Sequence, residues 1–206
     1  MWKLKIFLRF DKEEAWLEQM ARKGWLLTQT GIFRDFRRIT PEEKTIRIDY
    51  RIFKSRQDFN EYRTLFADSG WQHLAGTKSS GAQYFLKSGA DSTEDIFSDQ
   101  LSQAGRYRRV SEMYLCTTMS LVSLLIAMIY GEADVKINAL LTPKQWYLTP
   151  GLWELKGTDF WWSFLFETPF AVMRGLGWIL PILGVLLYGV YAVRSWLLYR
   201  SAIVKS

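Results

Sequence analysis

The chain has one cysteine, Cys116, and one histidine, His73, among 206 residues. A single cysteine excludes an intrachain disulfide framework and any multi-cysteine metal site. The histidine has no second histidine or cysteine at ligand spacing, so it reads as structural. There is no glycine-rich phosphate loop and no nucleophile elbow. Carboxylates are plentiful, but they fall at helix starts or alternate with arginine, which suits caps and solvated faces. The sequence therefore offers no catalytic residue, metal site or cofactor site, and the reading is non-enzymatic. The opening stretch, MWKLKIFLRFDKEE, lacks a long apolar core, so no cleaved signal peptide is expected.

Charge is missing altogether from two long stretches. Met113–Tyr130 reads MYLCTTMSLVSLLIAMIY, and Gly175–Val193 reads GLGWILPILGVLLYGVYAV. At ~1.5 Å per residue, each run is roughly 27–29 Å long as a helix, close to the ~30 Å of a bilayer's hydrocarbon core. Both are read as transmembrane helices, the first doubling as an uncleaved insertion signal. The competing reading is a buried helix of a soluble protein. Neither run holds an ionisable residue that could line a conduction path. Cys116, Ser120, Ser123 and Ala127 share one face of the first helix. Gly177 and Gly184 are seven apart in the second. Small residues permit close approach, so these faces are expected to pack together or against another copy. Cys116 is then a packing residue.

The rest of the chain is charged. Through Arg109 there are 20 Lys and Arg against 15 Asp and Glu; the mean hydropathy of -0.09 conceals this split. Arg106, Arg108 and Arg109 precede the first run, and Arg194, Arg200 and Lys205 follow the second. The connection between them carries Lys136, Lys144 and Lys156 against Glu132, Asp134, Glu154, Asp159 and Glu167. Positive charge on the outer flanks predicts a two-pass protein of the plasma membrane with both termini cytoplasmic. Arg174, at the outer edge of the second run, is expected to snorkel to headgroups.

Residues 1–90 are expected to form one soluble domain. Trp2, Leu4, Ile6, Leu8 and Phe10 alternate with Lys3, Lys5, Phe7 and Arg9, as in a strand with one apolar face. Asp11 and Glu14 form a capping-box pattern before a helix with the stripe Trp16, Leu17, Met20 and Ala21, stopped at Gly24. Residues 25–30 and 32–39 read as extended, broken at Gly31; 40–44 is a turn. Ile46–Phe53 is another alternating strand. Ser55 and Asp58 cap a second helix with the stripe Phe59, Tyr62, Leu65 and Phe66, stopped at Gly70. Strands at 71–76 and 82–87 follow, joined by a KSSG turn. The order β-α-β-β-α-β plus an extra strand predicts an α+β, ferredoxin-like domain. Trp16, Met20, Ala21, Gly24 and Trp25 echo Tyr62, Phe66, Ala67, Gly70 and Trp71. The echo reads as each helix ending at a glycine with a tryptophan opening the next strand toward the core, or as chance at a shared helix-stop-strand junction; either way it supports a pseudo-symmetric α+β sandwich. Residues 91–112 read as a juxtamembrane amphipathic helix, capped at Asp91–Glu94 and interrupted at Gly105. It leads into helices at 113–130 and 175–193, an external segment at 131–174 and a basic tail at 194–206.

The stretches DKEEAWLEQMARKGWLL, EYRTLFADSGW and EDIFSDQLSQAGRYRR resemble a bacterial family known as domain of unknown function 2812. The resemblance covers roughly residues 1–110. It implies mostly Firmicutes proteins with a cytoplasmic domain commonly followed by membrane helices, and genes often near PadR-type transcriptional regulators. It implies no catalytic residues.

Two surfaces are candidates for function. Lys3, Lys5, Phe7 and Arg9, with Arg47, Arg51 and Phe53, are expected on the open face of the sheet; Arg34, Phe36 and Arg38 could join them. A basic face with aromatics suits a protein partner, anionic lipid or single-stranded nucleic acid. The RNP motifs are absent, so nucleic acid is disfavoured. The second surface is the external segment with Trp146, Trp153, Trp161 and Trp162, read as resting on the outer leaflet or as a sensor. The preferred reading is a membrane-anchored regulatory protein whose cytoplasmic domain binds a protein partner, such as a transcriptional regulator. The alternative is an accessory or immunity-type subunit of a membrane complex such as a transporter.

Overall fold

The computed structural model describes all residues except 32, 89–94, 98, 132–139 and 205–206. The Asp91–Glu94 cap and the flanking charges Glu132, Asp134, Lys136 and Lys205 lie outside the described residues. The chain divides into two compact units, Met1–Ser111 with Arg194–Ser206, and Glu112–Val193.

The first unit is α+β. Its elements are β1 (Trp2–Lys3), α1 (Phe10–Arg22), β2 (Trp25–Gln29), β3 (Arg34–Arg38), β4 (Ile46–Tyr50), α2 (Arg56–Asp68), β5 (Trp71–Ala75) and β6 (Ala82–Lys87), followed by the start of α3 (Gln100–Tyr130). The ladders do not build one ferredoxin-like sheet. They build two three-stranded antiparallel sheets, ordered β1-β3-β2 and β4-β6-β5. The difference arises at residues 25–39. Periodicity reads this stretch as one broken strand, but it is a hairpin with Leu27 opposite Phe36 and Trp25 opposite Arg38. The hairpin completes a β-α-β-β unit, and residues 46–87 repeat the unit.

The repetition extends to detail. Gly24 and Gly70 each sit at φ 81° after α1 and α2, where only glycine is unstrained. The bulge between Leu27 and Gln29 recurs 46 positions later between His73 and Ala75. Trp2 opposite Asp35 corresponds to Ile48 opposite Tyr84. Phe7 packs on Trp16 at 5.3 Å, and Phe53 packs on Tyr62 at 4.7 Å. Lys5 lies over the first pair and Arg51 over the second. The Gly–Trp echo therefore marks an internal structural repeat, not merely a shared junction.

The repeats interlock through α1. Leu17 and Met20 share one cluster with Leu26, Leu27 and Phe36 of their own sheet and with Ile46, Ile48, Tyr84 and Leu86 of the next. Phe85, between Tyr84 and Leu86, joins Phe53, Tyr62 and Trp71 in the other cluster. Alternate residues of a strand face opposite ways, so α1 and α2 cover opposite faces of the second sheet.

In the second unit α3 runs on to Tyr130, and α4 spans Gly157–Val204. Both are long and apolar enough to cross a membrane, and their apolar windows are 0% and 11% buried, unlike core helices of a soluble protein. Gly105 lies inside α3 without breaking it, and α4 begins well before Gly175. The helices meet through Tyr114 with Tyr188 and Tyr191, at 5.9 and 5.5 Å, and through Leu121 against Gly184. A Cβ at Gly184 would come within 2.8 Å of Leu121 Cδ1, so glycine is what permits that approach. The expected small-residue faces are otherwise not the packed ones. Cys116, Ser120, Ser123 and Ala127 are exposed, and Gly177 has open space beside it. Their small side chains bury little area, so the larger Tyr114 and Leu121 face takes the contact.

Candidate functional site

The pattern read as a capping box at Asp11 and Glu14 is something else. Helix α1 starts at Phe10 with Arg9 at its N-cap and no side-chain cap. Ser55 does cap α2, accepting from the Asp58 amide at 3.0 Å. Asp11 and Glu14 are instead released to hold the start of α3. Arg106, fully buried, donates to Glu14 Oε1 at 2.5 Å, to the Ile48 carbonyl at 2.8 Å and to Asp11 Oδ1 at 3.3 Å. Its guanidinium lies 4.9 Å from the Phe10 ring and 5.5 Å from the Tyr107 ring. Tyr107 donates to Asp11 at 2.7 Å and accepts from the Phe10 amide at 3.2 Å. Arg109 donates to Asp49 and to the Tyr50 carbonyl, both at 2.5 Å. Tyr62 of α2 donates to the other Asp49 oxygen at 2.9 Å. The sequence RYRR thus grips α1, β4 and, through Asp49, α2.

The same residues close the outer edge of β4. Its Ile46 and Ile48 amides donate to Glu18 and Glu14, at 3.2 and 2.9 Å. Its Ile48 and Tyr50 carbonyls accept from Arg106 and Arg109. Four side chains from two helices therefore replace the missing neighbour strand, satisfying groups that an open edge would leave for another chain.

Burial sets the electrostatics. It raises the Glu14 carboxyl against the pull of Arg106. Burial also acts to raise Asp11, but hydrogen bonds from Tyr107 and Arg9 outweigh it and the net direction is down. Burial and the bond to Asp11 push Tyr107 up to about 12. Arg34 pairs with Glu13 at 2.5 Å, and Tyr84 donates to the same oxygen at 2.8 Å. Glu13, Glu14 and Asp49 are each paired with an arginine, so the arrangement is a latch. Among the described residues no three His, Cys, Asp or Glu side chains converge as metal ligands.

The structure does not gather the expected basic-aromatic face. Phe53 is buried in the second core cluster, while Phe7 lies on Trp16 of α1. Lys3 reaches Met20 Sδ at 3.5 Å. Arg47 pairs with Glu18 at 2.9 Å. Lys5, Arg9 and Arg51 are exposed; Arg9 pairs with Asp11 at 2.6 Å. Arg51 lines a cleft of about 610 Å³ beside α2, with Lys54, Asp58, Glu61 and Leu65. Only Trp2–Lys3 of the first segment is strand, and the expected alternation is lost: Trp2, Leu4, Ile6 and Leu8 are exposed along with Lys5 and Arg9, whereas Phe7 and Phe10 turn inward. His73 holds Gln83 at 3.0 Å between Phe59 and Phe85, and burial lowers its pKa, in keeping with a structural role.

In the second unit Trp146 lies against Gly175, and Trp153 packs on Tyr147 at 5.3 Å. Trp161 packs on Phe160 at 5.3 Å while remaining largely exposed, as is Trp162. Arg174, expected at the headgroups, has protein partners. It donates to Glu167 at 2.6 Å and to the Trp146 carbonyl at 2.8 Å. Glu167 also accepts from Thr149 Oγ1 and the Leu148 amide, at 2.6 and 3.1 Å. These bonds, led by that from Thr149, hold its carboxyl down to about 2.

Local pattern assigned Arg106 and Arg109 to the membrane flank and Glu14 to a helix cap, and missed their pairing and that of Asp49, because the partners are 58 to 92 positions apart. Arginines placed just before an apolar run look like topology determinants. The available signal was the pairing of RYRR with a capping box that lacks Ser or Thr at its first position.

The chain belongs to the family described as protein of unknown function (DUF2812), which matches residues 9–119. The matched region contains every residue of the α3 latch. No curated protein and no solved structure matches the chain.

Proposed function

We propose that this protein is a two-pass membrane-anchored regulator, with both termini cytoplasmic and an internally repeated α+β domain that binds a protein partner. The carrying observation is the latch: the helix that bears the first apolar run also bears Arg106 and Arg109, which close the domain. A regulator needs its reading domain tied firmly to its anchor, and buried charge pairs supply registry. We read each β-α-β-β repeat as a variation on the split β-α-β of ferredoxin-like folds. The cleft beside α2, with both signs of charge and exposed Ile52 and Leu65, suits a polar protein surface. A soluble transcriptional regulator is the partner class that the family resemblance suggests.

One observation favours a second reading, an accessory subunit of a membrane complex. The small-residue face of α3 at Cys116, Ser120, Ser123 and Ala127 is left unused within the chain, and such faces suit helix–helix contact. Purification of the full chain in mild detergent separates the two. A soluble partner whose capture is lost in Arg51→Glu/Glu61→Arg supports the regulator. A stoichiometric membrane partner, lost in Ser120→Leu/Ser123→Leu, refutes it.

A further inference from the structure

The segment before α1 is built unlike the rest of the domain. Trp2, Leu4, Ile6 and Leu8 are large, apolar and exposed, Trp2 by 74% and Ile6 by 76%. Phe33, also exposed, extends the row by packing on Trp2 at 6.3 Å. Contiguous exposed apolar side chains mark a binding surface. The matching segment of the second repeat shows what a solvated or core version looks like. There Ile48 is fully buried against α1, Lys54 stands where the first repeat has Leu8, and Ile52, the counterpart of Ile6, is the one large aliphatic left exposed.

Three facts select the occupant. From Met1 to Phe10 there is no acidic residue, and Lys5 and Arg9 stand exposed within the apolar row. Only Trp2 and Lys3 belong to a strand, so the segment offers no long edge on which another chain's strand could pair. The same chain carries two helices of membrane-spanning length, which keep a bilayer within its reach. Tryptophan and large aliphatics at the acyl boundary, with interleaved Lys and Arg at the headgroups, are the chemistry of an anionic leaflet contact.

We infer that Trp2, Leu4, Ile6 and Leu8 insert at the surface of an anionic lipid leaflet, giving the domain a second membrane contact besides its helices. This rests on the membrane reading above. The full-length chain carrying Cys116→Ser is reconstituted into phosphatidylcholine vesicles containing a minority of phosphatidylglycerol. Single cysteines replacing Ile6, Leu124 of α3 or Asp58 of α2 carry an environment-sensitive fluorophore, and quenching by brominated lipid is read. Ile6→Cys and Leu124→Cys should be quenched several-fold more than Asp58→Cys. Quenching at position 6 should fall in pure phosphatidylcholine and in Lys5→Glu/Arg9→Glu. Position 6 unquenched while 124 is quenched overturns this inference alone. A blue-shifted but unquenched probe at 6 does the same, because it shows burial against protein. Equal quenching at 6 with and without anionic lipid overturns the headgroup assignment. An unquenched probe at 124 overturns the membrane reading and this inference together.

Discussion

Replacing Arg106 with alanine tests the latch most directly. The guanidinium is the counter-charge of Glu14, whose side chain is about as buried as a core residue. Its loss leaves a buried carboxylate holding only the Ile48 amide, at 2.9 Å. Breaking one side of a buried pair costs ~3–5 kcal/mol. The lost stacking over Phe10 and Tyr107 adds roughly 0.5–2 kcal/mol. Against a total stability of about 5–15 kcal/mol for a domain this size, the change is large. At ~1.4 kcal/mol per tenfold, opening of the β4 edge should rise by about two to three orders of magnitude or more. Hydrogen exchange of the full-length chain in detergent micelles reads it at the Ile46 and Ile48 amides. Adding Glu14→Gln should restore much of the protection, because the neutral amide still accepts from Ile48 and leaves no unpaired charge. Arg106→Lys should fall between, since an ammonium lacks the fork that spans Glu14 and the Ile48 carbonyl. Less than about a tenfold rise for Arg106→Ala would show the latch to be ornamental, by the same ~1.4 kcal/mol conversion.

Gly24→Ala forces a left-handed residue and sets a Cβ 2.9 Å from the Ile39 carbonyl oxygen; the strain of ~1–2 kcal/mol should lower the melting midpoint by several degrees. His73 is held neutral, its folded pKa below the ordinary 6.5. Its contribution is present above that value and lost as pH falls through the folded pKa, so the wild type should melt lower at pH ~5 than at ~7, and His73→Gln should flatten the difference. Tyr107, pushed up to about 12 from 10, contributes stability that is present below pH ~10 and lost as pH rises towards 12; an alkaline titration by near-ultraviolet circular dichroism should show a steeper loss than in Tyr107→Phe. Arg174→Met removes the cation shared by Glu167 and the Trp146 carbonyl, so trypsin should cleave after Lys144 and Lys156 faster than in wild type.

Local chemistry was legible where partners are close in sequence. Gly24, Gly70 and Ser55 do what their positions predict, and the stripes at Trp16–Ala21 and Phe59–Phe66 pack as read, except for exposed Leu65. The Gly–Trp echo signalled the internal repeat of the domain. A period of two shows alternation but not whether neighbours will pair with the whole segment; only Trp2–Lys3 is strand, so the alternation from Leu4 to Arg9 sorts no buried face. The hairpin at 25–39 was masked because its turn carries none of the usual Asn–Gly or Asp–Gly signal. The latch was invisible to any local window, since it joins residues on either side of a whole repeat.

That span has a consequence for biogenesis. The β4 edge is complete only when Arg106 has been made, 58 residues after Ile48. At ~5–20 residues per second, the Ile48 carbonyl waits roughly 3–12 s for this partner, while the Ile46 and Ile48 amides already have Glu18 and Glu14 of α1 within the chain. Arg109 precedes the first apolar run by only a few residues. Synthesis of the element that finishes the domain therefore passes directly into synthesis of a run long and apolar enough to cross a bilayer. A chain stalled before residue 106 would leave the Ile48 and Tyr50 carbonyls of that edge open to whatever chaperone is nearest, so closure of the domain and synthesis of the apolar run become one timed event.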